Sequence, residues 1–242
     1  PVVLARHPVV RWAAEHGASN PTAVSLITSA VYTALRAAVP VEVYRRDLDG
    51  LGGADVLIDF TSPSAVAAHA DACVAQGVAW VLGTTGLNVA QQEIVSSAAR
   101  QIPVCQAANF STGVNLMLRL AALAAAAVDD DTDLEVVEAH HRHKVDAPSG
   151  TALALGRVLA DARGVDLDSN AVMSRVGITG ARPAGSIGFS TIRGGDIVGE
   201  HTVLLAGDGE PLEITHRAGT RRAFARGACR AAGWLVQQAP GL

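Results

Sequence analysis

Apolar residues along the chain keep two rhythms, and where one gives way to the other outlines two domains. Between residues 41 and 106 the short apolar runs Val41–Tyr44, Ala54–Phe60, Val78–Leu82 and Pro103–Gln106 predict strands. Ala54–Phe60 is apolar almost without a break, as expected of a parallel strand covered on both faces. Helical spacing intervenes from Ser64 to Gln76, with Val66, Ala70, Cys73 and Val74 on one face and Gly77 as terminator, and again from Val89 to Arg100. Strand–helix–strand alternation with short connections predicts a doubly wound parallel sheet of the Rossmann-like kind, hence an α/β domain. A longer helix over Gly113–Val128 follows, with Leu116, Leu120 and Leu123 at helical spacing. Leu134–Ala139 then reads as a strand. A helix opens at Ser149, repeats its apolar face at Leu155, Val158, Leu159 and Ala162, and closes at Gly164. Farther on, Ser186–Arg193, His201–Leu205 and Leu212–His216 are β-rich and separated by Gly195-Asp196 and Gly207-Asp208 turns. They predict an open mixed sheet in a second, α+β domain, and Arg221–Gln238 predicts a last helix.

In open parallel sheets ligands bind beyond the carboxyl ends of the strands. That rule brings Phe60–Ser62, Gly83-Thr84-Thr85 and Ala107-Ala108-Asn109-Phe110 to one crevice. Glycine allows close approach of a ligand to the backbone, and the threonine hydroxyls and the Asn109 amide offer hydrogen bonds. An ordinary turn accounts equally well for Gly83–Gly86.

The chemistry concentrates between the Leu134 strand and the Ser149 helix. His140, His141, Arg142, His143 and Lys144 occupy consecutive positions, and Pro148-Ser149-Gly150-Thr151 opens the helix. A helix start carries unpaired N–H groups and partial positive charge, so it favours an anion. Three readings compete: a solvated basic loop, a metal site, and acid chemistry on an anionic substrate. The histidines lack the ligand spacing of a metal site, and strand neighbours point to opposite sides. Proton donation from a histidine, with a lysine as second acid or carboxylate clamp, accounts for the most residues.

The stretch Glu138–Leu153 closely resembles the signature of the 4-hydroxy-tetrahydrodipicolinate reductase (dihydrodipicolinate reductase) family. Asp59–Pro63, Gly83–Gly86, Ala107–Ser111 and Gly194–His201 resemble further family blocks in the family's order, so that the resemblance spans about residues 40 to 238. It implies reduction of a cyclic imine dicarboxylate by NADH or NADPH in the diaminopimelate route to lysine. By resemblance His140 is the general acid, and Lys144 the second acid or clamp. His141, Ser149, Gly150 and Thr151 bind substrate. Gly83, Thr84, Thr85, Ala107, Ala108, Asn109 and Phe110 line the nicotinamide half of the cofactor site, and no metal is implied. The expected division is a dinucleotide domain of residues 1–111 completed by 222–242, and a substrate-binding and oligomerisation domain of residues 112–221. A homotetramer is expected. Arg142 and His143 are expected to point away and pair with acids such as Glu138; His201, His216 and Arg221 read as structural or rim residues.

The first forty residues depart from this pattern. A dinucleotide domain opens with a glycine-rich turn that receives the pyrophosphate, yet Gly17 is the only glycine here. A displaced or frame-shifted start is the expected reason. A degenerate relative, or a cofactor held differently, are the alternatives; a non-catalytic or cofactor-impaired relative is therefore the rival function.

Composition agrees with a packed enzyme. Of 242 residues, 49% are hydrophobic, enough for a sizeable core. A net charge of −4 argues against nucleic acid or an anionic membrane as partner, so the basic run is a local site on an acidic protein. Cys73, Cys105 and Cys229 are widely spaced and suit a reducing compartment as small buried residues. No targeting segment is evident, and a soluble, cytoplasmic protein is expected.

Overall fold

A computed structural model of the chain describes Leu48, Leu51 and residues 53–242, together with the backbones of three strands nearer the N-terminus, β1 (Val2–Ala5), β2 (Ala23–Ile27) and β3 (Glu42–Tyr44). The question of a phosphate-binding turn falls on residues outside this description. The chain divides into two compact units, residues 1–111 with 221–242, and residues 112–220.

The first unit is a six-stranded sheet in the order β3-β1-β2-β4-β5-β6, with β4 at Val56–Phe60, β5 at Ala79–Leu82 and β6 at Val104–Gln106. Pairing from β2 through β6 is parallel, whereas β1 runs antiparallel to both β2 and β3. Successive strand residues point to opposite faces, and the core follows that alternation. Leu57, Trp80 and Leu82 pack beneath α1 (Val66–Gln76) and α2 (Val89–Ala99). Their neighbours Val56, Ile58, Ala79 and Val81 pack on the opposite face against Ala225, Ala228, Cys229, Ala232 and Leu235 of the last helix (Arg222–Leu235). Both faces are therefore covered, as the unbroken apolar run predicts. Helix α1 ends on Gly77 in the left-handed conformation, and α2 begins with a capping box between Asn88 and Gln91.

In the second unit β7 (Asp133–His140), β8 (Ala171–Val172), β9 (Ile187–Arg193), β10 (Glu200–Gly207) and β11 (Glu210–Arg217) form a mixed sheet in the order β11-β10-β7-β9-β8. Helices α3 (Thr112–Ala127) and α4 (Gly150–Arg163) bury Met117, Ala121, Ala125, Leu155 and Leu159 against Leu134, Val136, Ile187, Phe189, Val203 and Leu205. Gly156 lets α4 lie on Phe189, because a Cβ there would enter the phenyl ring. A short helix α5 (Leu167–Asn170) precedes β8, and α6 (Arg222–Leu235) is the closing helix of the first unit.

One pattern reads differently in three dimensions. The leucines that mark α3 in the sequence are exposed: Leu116 at 54%, Leu120 at 43% and Leu123 at 60%. Val114, Met117 and the alanines form the buried face, since small residues allow α3 and α4 to approach closely.

Candidate active site

The inward rows of the second sheet end in polar residues. Leu134, Val136 and Glu138 share one face of β7, and Leu205, Val203 and His201 share one face of β10. Glu138 and His201 are direct partners in the β7–β10 register. A carboxylate thus continues the core row, where it is 1% exposed. A charge in such a place must be paired, and Glu138 accepts five hydrogen bonds. Arg193 of β9 donates two, from Nη1 to Oε2 and from Nη2 to Oε1, each at 2.8 Å. His140 Nδ1 lies 2.6 Å from Oε2, the Ser149 N–H 3.1 Å from Oε1, and Thr191 Oγ1 3.3 Å from Oε1. Burial alone would raise the pKa of Glu138, but the donors from Arg193, His140 and Ser149 outweigh it and hold that pKa down to about 2.

His140 ends β7, and two sequence positions on a strand return to the same face, so its ring meets Glu138. Burial lowers its pKa, Glu138 opposes this, and the charges of Lys144 and Arg193 reinforce it, with a net result below the usual histidine range. Its ring meets that of His201 edge-on, centroids 5.1 Å apart. Lys144 Nζ donates to both oxygens of Asp146, at 2.8 and 2.9 Å. Asp146 is well exposed, and an ion pair of that kind contributes little, so a ligand carboxylate can take its place. Arg142 and His143 are exposed and His141 is half-buried, its ring 6.3 Å from that of His143. The acid Glu138 is engaged by His140 and Arg193, in place of the Arg142 or His143 pairing expected from sequence.

Ser149 caps α4. Its hydroxyl accepts from the Ala152 N–H at 3.2 Å and bonds His201 Nε2 at 2.9 Å, and the residue is only 2% exposed. Both its hydroxyl and its N–H therefore serve the framework. Gly150, the first residue of the helix, is exposed, and Thr151 beside it is half-buried. His201 is buried, with Nδ1 lacking a hydrogen-bond partner among the described residues, and burial followed by the charge of His140 lowers its pKa to about 4.

These groups make the second unit acid-labile. Glu138, His140 and His201 all have folded pKa values below their ordinary ones, so the unfolded chain binds more protons and stability falls as pH falls. The histidine contribution is complete above their ordinary value of 6.5 and for His201 is lost on acidification through about 4; that of Glu138 is lost from 4.5 down to about 2. The thermal midpoint should decline steadily between pH 7 and pH 4. A midpoint that is flat over this interval would contradict the assignment.

In the first unit the strand ends beyond β4 and β5 are tied together by buried Asp59. Its carboxylate accepts from the Thr61 N–H and hydroxyl at 3.0 and 2.7 Å and from Thr84 Oγ1 at 3.3 Å. It also meets His69 Nδ1 at 2.7 Å and Trp80 Nε1 at 3.3 Å. The Thr84 hydroxyl also accepts from the Thr61 N–H at 3.1 Å. Thr84 is therefore a buried brace, while Thr85 next to it is exposed. Gly83 lies under Phe60, whose ring a Cβ would enter, and Phe60 packs edge-on against Phe110 at 5.5 Å. Ala107 donates its N–H to Leu82 at 3.1 Å, Ala108 is exposed, and Asn109 Oδ1 accepts from the Ser111 N–H at 2.8 Å. All seven residues expected at a cofactor thus lie just past β5 and β6, with Thr85 and Ala108 exposed. A planar ring approached by backbone and small side chains fits this arrangement. Sequence reasoning missed Arg193 and Asp59; the period-two spacing of Glu138 and His140 was a signal for that pair, whereas nothing local points to Arg193.

Among the described residues no group of three or more His, Cys, Asp or Glu could hold a metal ion, and no helix is long and apolar enough to cross a membrane.

Comparison with known proteins agrees across both units. Residues 17–110 match the family model described as dihydrodipicolinate reductase, N-terminus, and residues 113–242 match dihydrodipicolinate reductase, C-terminus. The first match begins well upstream of residue 40, where the motif resemblance starts. The 4-hydroxy-tetrahydrodipicolinate reductase of Alkalilimnicola ehrlichii is 59% identical over 191 residues, 79% of this chain and 72% of that protein. Its namesake from Thiobacillus denitrificans is 50% identical over 218 residues, 90% of this chain and 82% of that protein. Among solved structures, dipicolinate-bound dihydrodipicolinate reductase from Paenisporosarcina sp. TG-14 aligns with a TM-score of 0.63 at 28% identity, over 83% of this chain and 77% of that one.

Proposed function

This chain belongs to the dihydrodipicolinate reductase family, and on that premise we propose how its two units carry the family's reaction. It is a dinucleotide-dependent oxidoreductase that reduces 4-hydroxy-tetrahydrodipicolinate in the diaminopimelate route to lysine. The first unit is the dinucleotide domain and the second binds the dicarboxylate substrate. The observation that carries the reading is the His140–Glu138 pair beside Lys144 and the exposed start of α4. A bound nicotinamide dinucleotide, NADH or NADPH, supplies a hydride; Gly83, Thr85 and Ala107 to Phe110 would hold its nicotinamide end, with Thr84 bracing the segment through Asp59. His140 donates the proton that the reduced ring requires. Lys144 leaves Asp146 to hold a substrate carboxylate, and the N–H groups of Gly150 and Thr151 receive a carboxylate at the helix start. His141 adds a polar contact, and Ser149 fixes the helix start through its cap and its bond to His201. A dicarboxylate bound to the Paenisporosarcina relative supports a dicarboxylate here, as does Lys144, whose partner Asp146 is exposed. The arriving negative charge offsets Lys144 and Arg193, and so favours the protonated form of His140.

The cofactor-impaired alternative raised by the missing glycine turn is not favoured, given reductases at 50% and 59% identity. Oxidation of NADH and of NADPH, with the imine generated in place by a coupled synthase, tests the function. Turnover with either supports it. Tight nucleotide binding without turnover would defeat the substrate assignment, and absence of nucleotide binding would defeat the role of the first unit. We also infer a cytoplasmic homotetramer assembled through the second sheet, an inference supported by Ile192 at 52% and Leu212 at 47% exposure on β9 and β11. A monomeric mass in sedimentation would remove that assembly.

Replacing Lys144 by alanine is expected to lower turnover and to raise the substrate KM by about tenfold or more, since a charged hydrogen bond contributes roughly 1.5–3 kcal/mol. Steady-state kinetics decide it: a KM that stays put removes Lys144 from the clamp.

A further inference from the structure

Glu138 is almost wholly buried, yet it is the most heavily bonded side chain of the site. Its five donors come from β7 itself, from β9, and from the first turn region of α4. A carboxylate so supplied is acceptor-only. The nitrogen that faces it at 2.6 Å must then carry the hydrogen, and that nitrogen is Nδ1 of His140. The other ring nitrogen, Nε2, has Gly199 for a neighbour: a Cβ at that buried glycine would stand 3.0 Å from Nε2. Space beside Nε2 is thus kept by the absence of a side chain, within the Gly194–His201 segment whose catalytic use the family reading leaves unassigned. The groups that face the His140 ring are Glu138 from its own strand, Lys144 from the loop, Arg193 from β9 and His201 from β10.

We infer that Glu138, held by Arg193, is a positioning residue that fixes one hydrogen of His140 on Nδ1 and so makes Nε2 the atom that exchanges a proton with the substrate. This rests on the reading of His140 as the general acid. In the reacting imidazolium both nitrogens carry hydrogen. The 4-hydroxyl of the substrate leaves with a ring hydrogen as water, and as the unsaturated ring so formed gains a hydride and becomes electron-rich, the Nε2–H bond breaks and the ring–H bond forms. Neutral imidazole remains, its hydrogen on Nδ1 against Glu138, and solvent restores the proton on Nε2. Arg193 serves this step indirectly, because its fork neutralises Glu138 and frees the carboxylate from any need to take the proton itself. The arrangement has the logic of an acid that orients a catalytic imidazole without being protonated.

Nitrogen chemical shifts of the imidazoles in the ¹⁵N-labelled, unmutated protein test the inference without any substitution. The neutral His140 ring should carry its hydrogen on Nδ1; a hydrogen found on Nε2 overturns the inference. Glu138→Gln keeps the shape and one acceptor but removes the charge. It should lower turnover by about 10²–10⁴-fold with a much smaller change in substrate KM. It should also move the high-pH decline of kcat to lower pH, since the cation loses its partner, and leave a mixture of ring tautomers. His140→Gln measured alongside separates the acid role of His140 from the positioning role of Glu138. If that variant retains full turnover, the acid assignment itself is wrong and the inference falls with it. If it is inactive while Glu138→Gln keeps wild-type turnover, tautomer and pH profile, only the positioning role is overturned.

Discussion

His140→Gln should lower turnover by about 10²–10⁴-fold, the usual share of a positioned general acid, while dinucleotide affinity stays near that of the unmodified chain. Glutamine occupies a similar volume at the end of β7, and its amide can still donate to Glu138, so the buried carboxylate is not stranded. What it cannot do is release a proton to the substrate near neutral pH. The decline of kcat at high pH should vanish in the variant, because the group whose deprotonation causes it has gone. Substrate KM should change less than kcat, since the anionic ends of the substrate are held by Lys144 and the α4 start. Turnover and pH profile are read from the same coupled assay. Wild-type turnover would take the acid role away from His140 and pass it to Lys144, the other proton donor of the loop.

The second large effect belongs to the first unit. Gly227 lies in α6 where a Cβ would fall on the carbonyl oxygen of Phe110. Backbone on one side and helix on the other leave no flexible side chain to give way. Gly227→Ala should therefore displace α6 from Val56, Ile58, Ala79 and Val81, at a cost of about 3 kcal/mol or more, since overpacking against backbone lies in the upper range of such substitutions. Nucleotide affinity should fall too, because Ala107–Phe110 is the segment pushed aside. Urea unfolding followed by tryptophan fluorescence, with a nucleotide titration, provides both readings; an unchanged midpoint would mean that Gly227 does not press on the Phe110 carbonyl.

Legibility from the sequence followed the locality of each signal. The strands Val56–Phe60 and Ala79–Leu82 could be read because a strand covered on both faces is apolar throughout. The limits of α4 were legible because Ser149 and Gly164 are strong local punctuation, cap and left-handed terminator respectively. The second sheet was visible as strands, while its mixed order, with β9 parallel to β7, rests on pairings across about fifty residues. The same distance hid Arg193, since its approach to Glu138 depends on the β7–β9 register. The α3 leucines misdirect a reading by hydrophobicity alone, because in that helix the alanines earn the contact by being small. In the candidate cofactor segments, Thr84 looked like a ligand donor, and only the fold shows its hydroxyl committed to Asp59.

The closing position of α6 in the sequence bears on how the molecule is made. The helix that covers Val56, Ile58, Ala79 and Val81 is synthesised after every residue of the second unit. During translation the first sheet emerges with one apolar face bare and must wait for more than a hundred residues before its cover arrives. The second unit, continuous from Thr112 to Thr220, can complete its core in that interval. Domains generally fold in the order in which they leave the ribosome; here the first unit lacks its last helix until every residue of the second has been made.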